Sequence, residues 1–220
     1  MYLSRVQVDT DNRRKIKDLT QVGAYHNWVE RSFPDEIKAK IRKRHLWRLD
    51  TIGSKQFLLL LSEDQPDLQK LERYGVADTA FTKNYDELLK TLSVGQKLRF
   101  RLTANPTHSV YVPGSKRGRV YPHITAEQQT QWLLQRADDY GFEIPFSKIE
   151  DGSEVPNFDI TSRDYTFLRR GKTRPVRLSR VSFEGVLIIR DLDSFKEALT
   201  KGIGREKAYG MGLLTVIPVG

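Results

Sequence analysis

The stretch "GQKLRFRLTANPT", residues 95–107, sets the reading of the fold. Leu98, Phe100 and Leu102 fall on one side while Arg99, Arg101 and Thr103 fall on the other. That period of two belongs to a strand with one face in a core. After a basic, glycine-containing loop, "TAEQQTQWLLQRADDYG" has helix ends in Thr125 as N-cap and Gly141 as stop. Strand candidates follow at "FEIPFSK", "DYTFLRR" and "VRLSRVSFEGVLIIRD", then a helix "DLDSFKEALTKG" and a last strand "LLTVIPV". From Gln96 onward the order is strand, helix, strand, strand, helix, strand. This is the ferredoxin-like split βαβ arrangement, a four-stranded sheet backed by two helices.

The first half repeats that order less cleanly. "MYLSRVQVD" alternates as a strand, and a helix is expected from about Leu19 to Phe33, closed by Pro34. "HLWRLDTIGSKQFLLLLSE" reads as a hairpin turning at Ile52-Gly53-Ser54, and "PDLQKLERYG" as a short helix. "TKNYDELLKTLSVG" fits strand and helix equally. The expectation is an α+β chain of two tandem ferredoxin-like (RRM-like) βαββαβ domains, residues 1–94 and 95–220. It rests on element order, because no residue-level repeat is visible.

Composition narrows the function. Lys and Arg total 37 against 28 Asp and Glu, giving a net charge of +9 and a pI near 9.7 over 220 residues. Such a surface attracts a polyanion, with nucleic acid the first candidate. There are no cysteines, which excludes disulfides, thiolate nucleophiles and Cys-based zinc sites. "FLLLL" (57–61) is far short of a membrane span, and "MYLSRVQVDT" lacks the apolar core of a signal peptide. A cytoplasmic protein without membrane association is expected.

"GIGREKAYGMGLL", residues 202–214, matches neither the Walker spacing nor the dinucleotide fingerprint. It also leaves a helix and enters a strand, the reverse of both nucleotide motifs. Two readings remain. Gly202 or Gly204 caps the helix and Gly210 or Gly212 marks a close approach. Alternatively, the bare N–H groups of Gly204, Gly210 and Gly212 lie against a phosphate chain, with Arg205 and Lys207 beside them.

This loop resembles the C-terminal glycine-rich loop of CRISPR repeat endoribonucleases of the CasE type. "MYLSRV", "LRFRLTANPT" and "VSFEGVLII" match the same family in order and spacing. His26 falls where that family carries its catalytic histidine. The resemblance implies metal-independent cleavage of precursor CRISPR RNA within each repeat, just 3′ of a stem-loop. The 2′-OH attacks, leaving a 2′,3′-cyclic phosphate, and the enzyme keeps its product as a Cascade subunit. The implied partners are the repeat hairpin, as precursor and mature RNA, and other Cascade subunits. The free protein is expected to be a monomer. The alternative is a non-catalytic RNA-hairpin-binding ribonucleoprotein subunit on the same fold.

Read from the residues alone, His26 fits either a structural histidine at the helix boundary or a catalytic one, and the resemblance implies the second. Self-cleavage of RNA needs a group that titrates near neutrality and positive charge for the phosphorane. Histidine suits the first task, and the chain has only His26, His45, His108 and His123. None of these pairs at helical metal-ligand spacing, so no metal or cofactor is expected. His26 borders an apolar stripe of Val22, Tyr25, Val29 and Phe33, with Glu30 one turn on to orient its ring. Tyr25 is a candidate helper, although relatives place a Tyr where this chain has Gly23. His45 reads as a strand-start residue, and His108 and His123 as loop residues.

Candidate RNA-binding cations are Arg31, then Arg42, Lys43 and Arg44, then Lys116, Arg117 and Arg119. A fourth group, Arg169, Arg170, Lys172, Arg174 and Arg177, reads as a basic hairpin arm. Such an arm would track phosphates and shape along an A-form stem. Phe100 alone on its strand gives no aromatic pair for stacking bases on an open sheet.

Overall fold

The computed structural model describes residues 1–111, 113–114, 118–168 and 175–219. Strands β1 (Tyr2–Gln7), β2 (Leu46–Ile52), β3 (Lys55–Ser62) and β4 (Phe81–Asn84) form the first sheet in the order β2-β3-β1-β4, antiparallel throughout. Helices α1 (Arg13–Ile16), α2 (Val22–Arg31) and α3 (Pro34–Ala39) connect β1 to β2. Helix α4 (Leu68–Leu71) lies between β3 and β4, and α5 (Asp86–Thr91) leads out of the sheet.

The second sheet repeats the plan. Strand β5 (Lys97–Ala104) is followed by the hairpin β6 (Thr107–Val110) and β7 (Arg119–Pro122), then by α6 (Ala126–Ala137). The short strands β8 (Phe142–Glu143), β9 (Phe146–Lys148) and β10 (Glu154–Pro156) precede β11 (Phe158–Leu168) and β12 (Val176–Ile189). Helix α7 (Leu192–Lys201) and strand β13 (Leu214–Pro218) close the chain. The order β11-β12-β5-β13 places second, third, first and fourth strands side by side, as in the first sheet. Both units are therefore ferredoxin-like.

Local chemistry explains most boundaries. Thr125 and Gln128 form a reciprocal capping box at the start of α6, and Gly141 ends the following turn at φ +73°. The ambiguous segment 82–95 is strand first and helix second, with Tyr85 turning the chain between them. The expected strand "FEIPFSK" breaks at Pro145 into β8 and β9, since proline cannot donate to a ladder. Helix α2 is shorter than expected, running from Val22 to Arg31, and Pro34 opens α3 at its first turn.

The "FLLLL" run does not alternate because both its faces are covered. Leu58 and Leu60 join Val6, Trp28, Val29, Phe33 and Trp47 in the core of the first unit. Leu61 and Leu46 point the other way, into the larger core around Trp132, Phe183 and Phe195. Arg48, only 2% exposed, ties the units together. It donates to both Asp50 oxygens, to the carbonyls of Arg101 and Leu213, and to the Thr215 hydroxyl. Between the sheets lies a polar cleft of ≈ 340 Å³, where Arg101 pairs with Asp50 and Glu184. The polar side of β5 thus faces this cleft.

Candidate active site

Helix α2 sets His26 and Tyr25 on adjacent faces. Val22, Trp28 and Val29 are buried, which anchors the helix and leaves His26 at its margin with 28% of its side chain exposed. The C-terminal glycine-rich loop closes over that margin. Its 3-10 turn, Lys207–Tyr209, brings the Tyr209 ring edge-on to His26, with centroids 5.7 Å apart. Beside Gly23 lies the Leu168 side chain, at the end of β11. Val22, Leu168, Leu178 and Met211 form a small core there, with Tyr209 packed on it. Segments from α2, β11, β12 and the loop thus meet at Val22, one turn before His26.

The loop is seated by its glycines. Gly210 has φ +79°, and a Cβ on it would fall 2.6 Å from Cζ3 of Trp47. Trp47 in turn donates its indole N–H to the Ala208 carbonyl at 3.0 Å. Gly212 has φ +90°, donates to the Thr103 carbonyl and accepts from the Ile203 N–H. Gly204 donates to the Tyr140 hydroxyl at 3.3 Å. Gly204 and Gly212 give their amides to protein partners, and Gly210 and Gly212 are buried. These glycines serve close packing and left-handed backbone.

Electrostatics around His26 favour the neutral ring at pH 7. Burial lowers its pKa below the usual histidine value; Glu30 opposes this, while Arg42 and His45 add to it. Glu30 does not orient His26 by a direct hydrogen bond: its Oε1 lies 3.9 Å from His26 Nδ1. That oxygen instead accepts from His45 Nδ1 at 2.8 Å. His45, only 2% exposed at its side chain, donates from Nε2 to Glu36 at 3.2 Å. Its position just ahead of β2 was readable from sequence; its pairing with two carboxylates was not.

Tyr25 is half-buried and stacked on Trp47 at 5.9 Å, with Trp28 at 6.2 Å. Burial pushes its hydroxyl pKa upward, against the pull of Arg180. The ring packs as an aromatic backing α2 against the core of the first unit. His108 and His123 lie together on the other unit, centroids 4.8 Å apart.

The cations divide by what already engages them. Arg42 is exposed, and its field reaches His26 and Glu30. Lys43 pairs with Asp64 at 2.7 Å and Glu63 at 3.6 Å, so it is held by carboxylates. Arg44 is exposed near the Lys201 carbonyl. Lys207 is half-buried and donates to that same carbonyl at 2.8 Å, with burial and then Arg44 lowering its pKa. Arg31 lines a separate shallow groove with Ile37, Lys38 and Arg73. Arg119 and Arg205 are exposed, and Arg177 lies over the Tyr165 ring at 3.5 Å. Lys116, Arg117, Arg169, Arg170, Lys172 and Arg174 lie outside the described residues. Among the described residues no group of three or more His, Asp or Glu is arranged to hold a metal ion, and no helix is long and apolar enough to cross a membrane.

Paired ferredoxin-like units with a histidine beneath a C-terminal glycine-rich loop define a recognisable class. The family model described as "CRISPR associated protein" matches residues 1–218, and the chain belongs to that family. It is 28% identical to the CRISPR-associated endoribonuclease Cse3 of Thermus thermophilus, over 99% of this chain and all of the relative. It is 32% identical to the CRISPR system Cascade subunit CasE of Escherichia coli K12, over the full length of both. The solved structure of Cse3 bound to a 19-nucleotide RNA superposes with a TM-score of 0.80 at 27% identity, covering 99% of this chain and all of that one.

Proposed function

We propose that this protein is an endoribonuclease that cuts precursor CRISPR RNA within each repeat, 3′ of a stem-loop, and retains the product as a Cascade subunit. The observation that carries the reading is His26 on α2, partly exposed and facing Tyr209 of the glycine-rich loop, in a chain of this family. The division of labour follows the two units, residues 1–94 carrying His26 and residues 95–220 carrying the loop and basic arm.

A neutral imidazole accepts the proton of the 2′-OH next to the cut, or as imidazolium returns one to the departing 5′ oxygen. The oxygen–phosphorus bond formed by the 2′ oxygen replaces the bond to the 5′ oxygen, giving a 2′,3′-cyclic phosphate and a 5′-hydroxyl. Arg42, beside His26, is placed to offset the charge on the phosphorane. Arg44, Arg119, Arg177 and Arg205 are exposed cations suited to the RNA backbone, together with the arm. The reaction belongs in the cytoplasm, on a monomer that then joins its complex.

The test is His26→Ala with a cognate repeat hairpin in EDTA. Binding should persist while the discrete product disappears, and a 2′-deoxy substitution at the scissile nucleotide should stop the wild-type enzyme. Normal cutting of the deoxy substrate would exclude attack by the 2′-OH.

A further inference from the structure

We infer that Glu30 is a positioning residue for His26 and that a buried His45 imidazolium, anchored by Glu36, holds Glu30 in that role. This rests on the catalytic reading of His26 given above.

The geometry carries the inference. A neutral imidazole has one N–H and one acceptor nitrogen. Both ring nitrogens of His45 face carboxylate oxygens, Glu30 at 2.8 Å and Glu36 at 3.2 Å. Ionised carboxylates only accept, so against two of them both nitrogens donate and the ring carries a proton on each. Burial opposes that charge, yet the Glu30 and Glu36 contacts override it and raise the His45 pKa. The Phe33 ring lies flat on His45, centroids 3.9 Å apart and planes 7° apart, which fixes the imidazolium in its plane. Burial resists the charge on Glu30 too, but His45, His26 and Arg42 together keep it ionised.

The consequence reaches His26 through one atom. The Oε1 that accepts from His45 is the same oxygen that stands 3.9 Å from His26 Nδ1. A fixed carboxylate on the Nδ1 side favours the tautomer with its proton there. It leaves Nε2, with its lone pair, as the nitrogen for RNA. The same charge steadies the ring once it is protonated. Both residues share α2, so a small rotation of the His26 ring toward Glu30 on RNA binding would bring the contact to hydrogen-bond length, as catalytic contacts often tighten in the bound state. The groups facing His26 are Glu30 from its own helix, Arg42 and His45 from the segment before β2, and Tyr209 from the loop.

The test uses the full chain with Glu30→Gln, which keeps shape and removes charge. In an NMR titration of the free protein, the His26 ring pKa should drop by roughly 0.5–1 pH unit. Single-turnover cleavage should slow by about 10–100-fold with hairpin affinity unchanged. In a His26→Ala background the added Glu30→Gln should cost no further rate, because the two act as one unit. Should Glu30→Gln not fold, Glu30→Asp keeps the charge and withdraws it by one methylene. It should then retain most of the His26 titration and still slow cleavage. His26→Ala cutting at full rate would overturn the catalytic reading while the titration still reported the contact. A dead His26→Ala enzyme beside a Glu30→Gln enzyme with unchanged titration and rate would overturn this inference alone.

Discussion

Replacing Gly210 with alanine separates a packing role for the glycine-rich loop from a backbone–RNA role. The native φ of +79° is a left-handed conformation, and holding an L-residue there costs roughly 1–2 kcal/mol. The new methyl would also meet Trp47 at 2.6 Å from Cζ3 and 2.8 Å from Cη2. Trp47 is 1% exposed and cannot swing aside, so overpacking adds about 1–3 kcal/mol. The total is about 2–5 kcal/mol, which for a chain of this size lowers Tm by roughly 4–20 °C. Gly53→Ala is the control: its φ is +61° but nothing lies within 4 Å of the added Cβ. It should lose only about 1 kcal/mol, or roughly 3 °C. Urea and thermal unfolding of both variants give the comparison. Cleavage should fall in Gly210→Ala as well, because Tyr209 and its contact with His26 move with the loop. Wild-type melting combined with weaker RNA binding would refute the packing argument and return the glycine to the phosphate backbone.

Three further outcomes follow from the same geometry. The folded-state pKa of His45 lies above its ordinary 6.5, so its stabilising contribution is whole below pH 6.5 and is lost as pH climbs through the higher folded value. Wild-type Tm should therefore decline across that rise relative to His45→Gln; parallel curves would show that the charged ring is not formed. Arg48→Met removes a buried cation bonded to both units and should cost roughly 3–5 kcal/mol in urea unfolding; a loss below about 1 kcal/mol would mean the units do not depend on it. Arg42→Ala should weaken hairpin binding and reduce the slope of log affinity against log salt by about one, whereas Lys43→Ala, already paired with Asp64, should change it less. Equal slopes for the two variants would contradict that distinction.

Reading along the chain recovered what short-range physics governs. The alternation of Leu98, Phe100 and Leu102, the Thr125 cap with its partner Gln128, and the turn at Gly53 depend on neighbours a few residues away. Periodicity and caps therefore exposed the order of elements, and that order implied the paired ferredoxin-like plan. The helix pattern put His26 on the border of an amphipathic helix, and the resemblance to the CasE-type family, not the pattern, singled it out as the catalytic candidate. The helix stripe nonetheless omitted Trp28, whose indole N–H finds the Leu71 carbonyl across the unit.

The rest depends on contacts between residues far apart in sequence. Nothing local to Glu30 says that it hydrogen-bonds His45 as well as facing His26, since Glu36 on a separate helix completes the arrangement. Nothing local to Gly210 says that an indole from β2 occupies the space a Cβ would need. Tyr209 gave no signal at all, yet packing delivers it to His26. Periodicity records which face of an element is buried, but the identity of the partner on that face is settled only when the two units close on each other.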